Sequence, residues 1–107
     1  MVTGVYRVTQ SFPRQETYGL TSQMRRSAVS VASNIAEGQG RVSRREFYHF
    51  LGMARGSLLE METQAVIAEN LGYLSGTEVQ QLARASGEVS RLLHGLMHSL
   101  QKTEPAG

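Results

Sequence analysis

Between Pro13 and Pro105 the chain contains no proline, so nothing in that interval forbids continuous helix. What fills the interval has the matching rhythm. Leu20, Met24, Ala28, Val31 and Ile35 step by four and three, with Ala32 and Ala36 beside them, as one buried stripe of a helix does. Phe47, Leu51, Ala54, Leu58, Met61, Ala65 and Ala68 continue the same stepping to Leu71. Val79, Leu82, Ser86, Val89, Leu93, Leu96 and Leu100 repeat it a third time. The fold class this dictates is all-α.

Punctuation divides the rhythm into elements. Val5, Val8 and Phe12 share one face of a first helix over Val2 to Phe12, which Pro13 stops. A helix that short is marginal alone and has to dock on the others. Residues 13–19 form a polar connection. A second helix runs from Leu20 to Glu37, where Gly38 and Gly40 end it as a glycine hinge. Ser43 and Glu46 then spell S-x-x-E, a capping box that opens a third helix, and Gly72 closes it. At 1.5 Å per residue the third helix is a rod of about 42 Å. Ser75 and Glu78 form a second capping box that starts the fourth helix. Short connections between long helices force antiparallel neighbours. The expected architecture is therefore an up-and-down four-helix bundle over residues 1–102 with a short first helix, followed by a disordered tail at 103–107.

Charge is where the chain departs from a plain bundle. The net charge is only +2, yet residues 1–45 carry seven arginines against Glu16 and Glu37, and residues 46–107 carry four basic residues against seven glutamates. Arg25, Arg26, Arg41, Arg44 and Arg45 fall in one short stretch. Arginine grips phosphate in a planar, two-pronged fashion that lysine cannot copy. Arg41, Arg44 and Arg45 also stand at the start of the third helix, where free amides and the helix dipole favour an anion. These five arginines are the candidate nucleic-acid-binding residues, expected to act electrostatically on RNA or DNA with little base reading, because no aromatic platform motif accompanies them.

Two further groups stand out on the third helix. Gly52 and Gly56 lie one turn apart in a helix interior, where each costs about 1 kcal/mol relative to alanine, and the expected reason is close approach of a neighbouring helix or subunit. Glu60, Glu62 and Gln64 flank Met61 at the core boundary, where carboxylates require partners. Arg25 or Arg26, of the same or an adjacent subunit, are the expected ones.

Catalytic and metal chemistry does not assemble. His94 and His98 have the spacing of a metal pair, but the chain has neither Cys nor Asp to complete a zinc site, and they read as solvated histidines beside the Leu93 and Leu96 seam. Glu46 and His49 make one Glu-x-x-His where a di-iron bundle needs two. There is no G-x-S-x-G, a Ser-His-Asp triad cannot form without Asp, and Gly38 and Gly40 lack the G-K-[ST] ending of a phosphate loop. No enzyme activity and no cofactor are expected. No apolar run approaches roughly 18 residues and the N-terminus lacks a signal-peptide pattern, so a cytoplasmic protein with no membrane partner is the expectation.

The blocks GLTSQMRR, NIAEG, GSLLEMETQ and LGYL, within the stretch from Val5 to Leu74, resemble the four-helix-bundle proteins encoded in 23S rRNA intervening sequences, a family also called S23 ribosomal proteins. The fourth helix agrees in pattern only. The resemblance implies an antiparallel four-helix bundle that assembles into a ring-like homopentamer. Five copies would multiply the arginine surface. It also implies kinship with accessory proteins of diversity-generating retroelements, which bind nucleic acid and contact a reverse transcriptase. A second expected role follows, a scaffold docking a polymerase or reverse transcriptase without a direct nucleic-acid role. In the family the first helix begins earlier, whereas here Met1 lies mid-helix, which implies a late-assigned start or a shortened first helix.

Overall fold

The structure, a computed structural model, describes residues 1–102. The expected tail at 103–107 lies outside the described residues. Four α-helices and one short 3-10 turn account for the described chain: α1 (Val2–Thr9), the turn (Arg14–Glu16), α2 (Leu20–Gln39), α3 (Arg44–Asn70) and α4 (Gly76–Lys102). No strand occurs among the described residues. Each helix packs on its neighbours in sequence, and α1 closes the circuit by also touching α4. The fold is the expected antiparallel bundle.

The three apolar stripes read from the sequence form its core. Leu20, Met24, Ala28 and Val31 of α2 meet Leu51, Ala54, Leu58, Met61, Ala65 and Ala68 of α3, with Leu82 and Leu93 of α4 and Val5 of α1 closing the interior. The α2–α3 pairing is the most extensive in the molecule. Small side chains explain it, because alanine and serine at the seam let two backbones draw together. The Ser30 and Ser57 hydroxyls hydrogen-bond across it at 2.8 Å, and the Asn34 amide nitrogen donates to Ser30 Oγ at 3.0 Å.

α1 is shorter than expected, ending at Thr9 rather than Phe12. The buried Thr9 hydroxyl turns back to Val5 O at 2.8 Å, and Phe12 leaves the helix to bury itself against Tyr73, ring centroids 5.5 Å apart. Eight residues reach only about 12 Å, so α1 covers one end of the bundle. At the other end Ile35, Leu96 and Leu100 are only partly buried.

A carboxylate holds the covered end together. Glu16 accepts the Leu20 backbone N–H at 3.2 Å, capping α2, and through its other oxygen accepts the Tyr73 hydroxyl at 3.0 Å. The start of α2 is thereby clasped to the α3–α4 turn. The Tyr73 phenol is held above the ordinary tyrosine range, first by that hydrogen bond, then by partial burial and by the Glu16 charge.

The helix ends show where local signals were sound. Ser75 and Glu78 form a complete capping box, Glu78 N–H to Ser75 Oγ at 3.1 Å and Ser75 N–H to Glu78 Oε1 at 2.9 Å. The box at Ser43 is half made. Glu46 N–H donates to Ser43 Oγ at 3.3 Å, but the Glu46 carboxylate turns toward Arg41 instead. Gly72 ends α3 with φ of 78°, and its neighbours close a Schellman motif through Tyr73 N–H to Ala68 O and Gly72 N–H to Glu69 O, both 2.9 Å.

The glycine hinge after α2 works differently from the expectation. The helix runs on to Gln39, and Gly40 caps it with an ordinary φ of −78°. Gly38 lies inside the last turn and is buried because α3 crosses it. A Cβ there would stand 2.9 Å from Phe50 Cβ and 2.8 Å from Phe47 Cδ1, whereas at Gly40 the nearest atom is 3.5 Å away. Gly38→Ala is therefore expected to destabilise the fold by about 1–2 kcal/mol, the overpacking outweighing the gain in helix propensity. Gly40→Ala is expected to leave stability unchanged or slightly higher. Urea unfolding of both variants against wild type measures the contrast.

Candidate nucleic-acid interface

The four residues between α2 and α3 turn the chain through a half circle and set three arginines at one end of the bundle. Gly40 N–H bonds Ala36 O and Glu37 O at 3.2 Å, Arg41 N–H bonds Gly38 O at 3.1 Å, and Ser43 starts the next helix. Arg44 and Arg45 occupy the first turn of α3, where positive charge opposes the helix dipole. Their placement therefore gains nothing from the helix itself.

The last turns of α4 come alongside. Gln101 Nε2 donates to the Tyr48 hydroxyl at 3.0 Å across the α3–α4 seam. An open hollow of about 330 Å³ results, lined by Arg44, Arg45, Tyr48, Leu100 and Gln101. Arg45 and Tyr48 also line a second hollow of about 450 Å³ that continues along α3 past His49 and Gly52 to Met53. Arg45 makes no ion pair among the described residues.

Arg41 is committed elsewhere. Its guanidinium pairs with Glu37 at 2.6 Å, lies 3.9 Å from Glu46, and stacks over the Phe50 ring with 5.0 Å to the centroid. An arginine so engaged contributes less field to an incoming phosphate.

Arg25 and Arg26 do not join this end. They sit near the start of α2, about 20 Å away along the helix axis, so the five arginines divide into two groups. Arg25 Nε donates to Thr9 Oγ1 at 2.9 Å and its guanidinium lies 4.7 Å from the Tyr6 ring centroid. It fastens α1 to α2. Arg26 lines a polar trench on the α2–α3 seam together with Gln23, Ser27, Ser30, Ser57 and Glu60.

The pairing expected for the acidic segment is not made within the chain. Glu62 instead accepts a hydrogen bond from Ser86 Oγ, a hydroxyl buried on α4, and so stitches α3 to α4. Glu60 is exposed on the trench rim with no ion pair among the described residues. Gln64 is buried and its side-chain carbonyl has no hydrogen-bond partner among the described residues. Gly52 and Gly56 have open space where a Cβ would stand, so no helix of the same chain approaches them. They lie on the outward side of α3 with Met53, Leu59, Val66 and Ile67, each between 44 and 52 % exposed.

Tyr48 and Gln101 are residues that reasoning from the sequence passed over. Tyr48 was legible, because it follows Arg45 by three positions and must share its helical face. Gln101 was not, since its role depends on the register of α4 against α3.

A family model for the 23S rRNA-intervening sequence protein matches residues 1–95. The chain belongs to that family. A crystal structure of a protein with unknown function from the S23 ribosomal protein family of Bacteroides thetaiotaomicron is similar in fold, with a TM-score of 0.78 and 22 % identity over 90 % of this chain and 87 % of that one. Among curated proteins none matches. The 23S rRNA-intervening sequence protein match contains the α3 wall of the hollow, Arg44, Arg45 and Tyr48, but stops before Leu100 and Gln101 of the α4 wall. No helix among the described residues of this family member is long and apolar enough to cross a membrane.

The division of the arginines has a measurable consequence. Arg25→Gln, which loses both the Thr9 bond and the Tyr6 contact, is expected to cost about 1 kcal/mol, on the order of 5 °C in Tm for a domain of this size. Arg26→Gln is expected to leave Tm within a degree or so. Thermal unfolding by circular dichroism tests the pair.

Proposed function

We propose that this family member is a non-enzymatic RNA-binding bundle whose contact with the phosphate backbone is made by Arg44 and Arg45 at the α2–α3 end. The observation that carries this reading is the convergence of both arginines on one open hollow. The family name links these proteins to 23S rRNA genes, which favours RNA over DNA as the nucleic acid. Charge placed at a helix start against the dipole is also better accounted for by a ligand than by stability. Arg25 acts as a fastener between helices and Arg26 as a secondary contact.

The reading extends to self-association, with a homopentamer as the stoichiometry that the family resemblance implies. Its support is the outward side of α3, where two side-chain-free positions sit among exposed apolar residues. Such a strip suits a closely packed helix from another copy.

Two measurements test these statements. An Arg44→Gln, Arg45→Gln double variant is expected to lower affinity for a labelled RNA by roughly tenfold and to flatten the dependence of log K on log salt by about one to one and a half. Arg41→Gln is expected to have a smaller effect, and equal binding by the double variant and wild type would overturn the assignment. For assembly, Leu59→Glu with Ile67→Glu is expected to reduce the particle mass measured by light scattering while the helical circular dichroism spectrum is retained. A wild-type monomer, or an unchanged mass, would refute the α3 interface.

A further inference from the structure

Tyr48 is an aromatic side chain in the wall of both hollows that Arg45 lines. Phe12 and Tyr73 pack on one another, Tyr6 and Phe50 each lie under an arginine, Phe47 packs against the core, and Tyr18, 96 % exposed, lines neither hollow. Tyr48 is half-buried, contributes to the walls of both hollows, and shares them with Arg45. Its hydroxyl accepts the Gln101 amide at 3.0 Å, which tethers the tip of the ring to α4. Arg45 and Tyr48 are three residues apart on one helix, with Cβ atoms about 5–6 Å apart, so the two side chains are neighbours on its surface.

From this geometry we infer that Tyr48 is a stacking platform for an unpaired nucleobase, so that the site selects single-stranded over double-stranded RNA. The inference rests on the RNA-binding reading above and names its ligand class. A base inside a duplex already has both faces covered by its neighbours, and an A-form helix offers a side chain at this position only phosphate and 2′-hydroxyl groups. An unpaired base has a free face, and an aromatic ring can take it without regard to sequence. Arg45, with its planar guanidinium, holds the adjoining phosphate while the base lies on Tyr48.

The test compares a labelled oligouridine with a blunt RNA duplex of equal length, each titrated at two salt concentrations. Wild type is expected to bind the single strand more tightly, with the preference growing as salt rises, since stacking is not screened. Tyr48→Leu keeps the apolar bulk and removes the π face. It is expected to lose roughly tenfold in single-strand affinity while duplex affinity is unchanged. Tyr48→Phe is expected to retain most of the single-strand affinity, and its normal Tm would separate a stacking role from a merely structural one. Equal losses on both ligands, or no loss on either, would overturn the platform. The Arg44→Gln, Arg45→Gln variant keeps the two failures apart. If it weakens both ligands while Tyr48→Leu weakens neither, the arginine site stands and the platform falls; if wild type binds neither ligand, both fall.

Discussion

Everything in this bundle depends on how closely α2 and α3 can approach. Alanine and serine at the seam remove the side-chain bulk that would hold two long helices apart, and the Ser30–Ser57 hydrogen bond satisfies polar groups that closeness would otherwise strand. Gly38 carries the same logic to the end of the pair, where Phe47 and Phe50 of α3 fill the space a side chain would need. Close packing there fixes the direction of the connecting turn, and the turn in turn fixes Arg44 and Arg45. The placement of these two arginines is thus a consequence of small residues in the interior of the molecule.

The other two helices are attached by fewer and more polar links. α4 is held by its apolar stripe and by the Ser86–Glu62 and Gln101–Tyr48 hydrogen bonds, and α1 by Arg25, Thr9 and the Glu16 clasp on Tyr73. These links explain why charged residues that looked available for a ligand are partly consumed. Arg25 and Glu62 are fasteners, and Arg41 answers Glu37 and Glu46. Arg44 and Arg45, at the start of α3, line the open hollow between α3 and α4. There the helix dipole adds its positive end to the guanidinium charge.

Much of the fold was legible because it is written in local signals. The stepping of apolar residues located the long stripes, Ser75 and Glu78 marked the start of α4, and Gly72 marked the end of α3, each through a backbone requirement that does not depend on distant residues. The site was legible only in part. Arg44 and Arg45 were picked out by their density in sequence, and the i, i+3 relation placing Tyr48 beside Arg45 was readable but was not drawn. The division of the arginines into two groups was concealed by their nearness in sequence, since a helix carries residues fifteen apart to places about 20 Å apart.

The sequence by itself determined an all-α chain, the number of its helices and the stripes they bury, because periodicity, capping and turn chemistry act within a few residues. Tertiary structure alone decided which charges are spent on one another and which stay open. Hydrogen bonds such as Gln101 to Tyr48, Ser86 to Glu62 and Tyr73 to Glu16 join residues far apart in the chain. Their existence turns on the register with which whole helices settle against each other, and that register is set by packing summed over the core rather than by any residue near the bond.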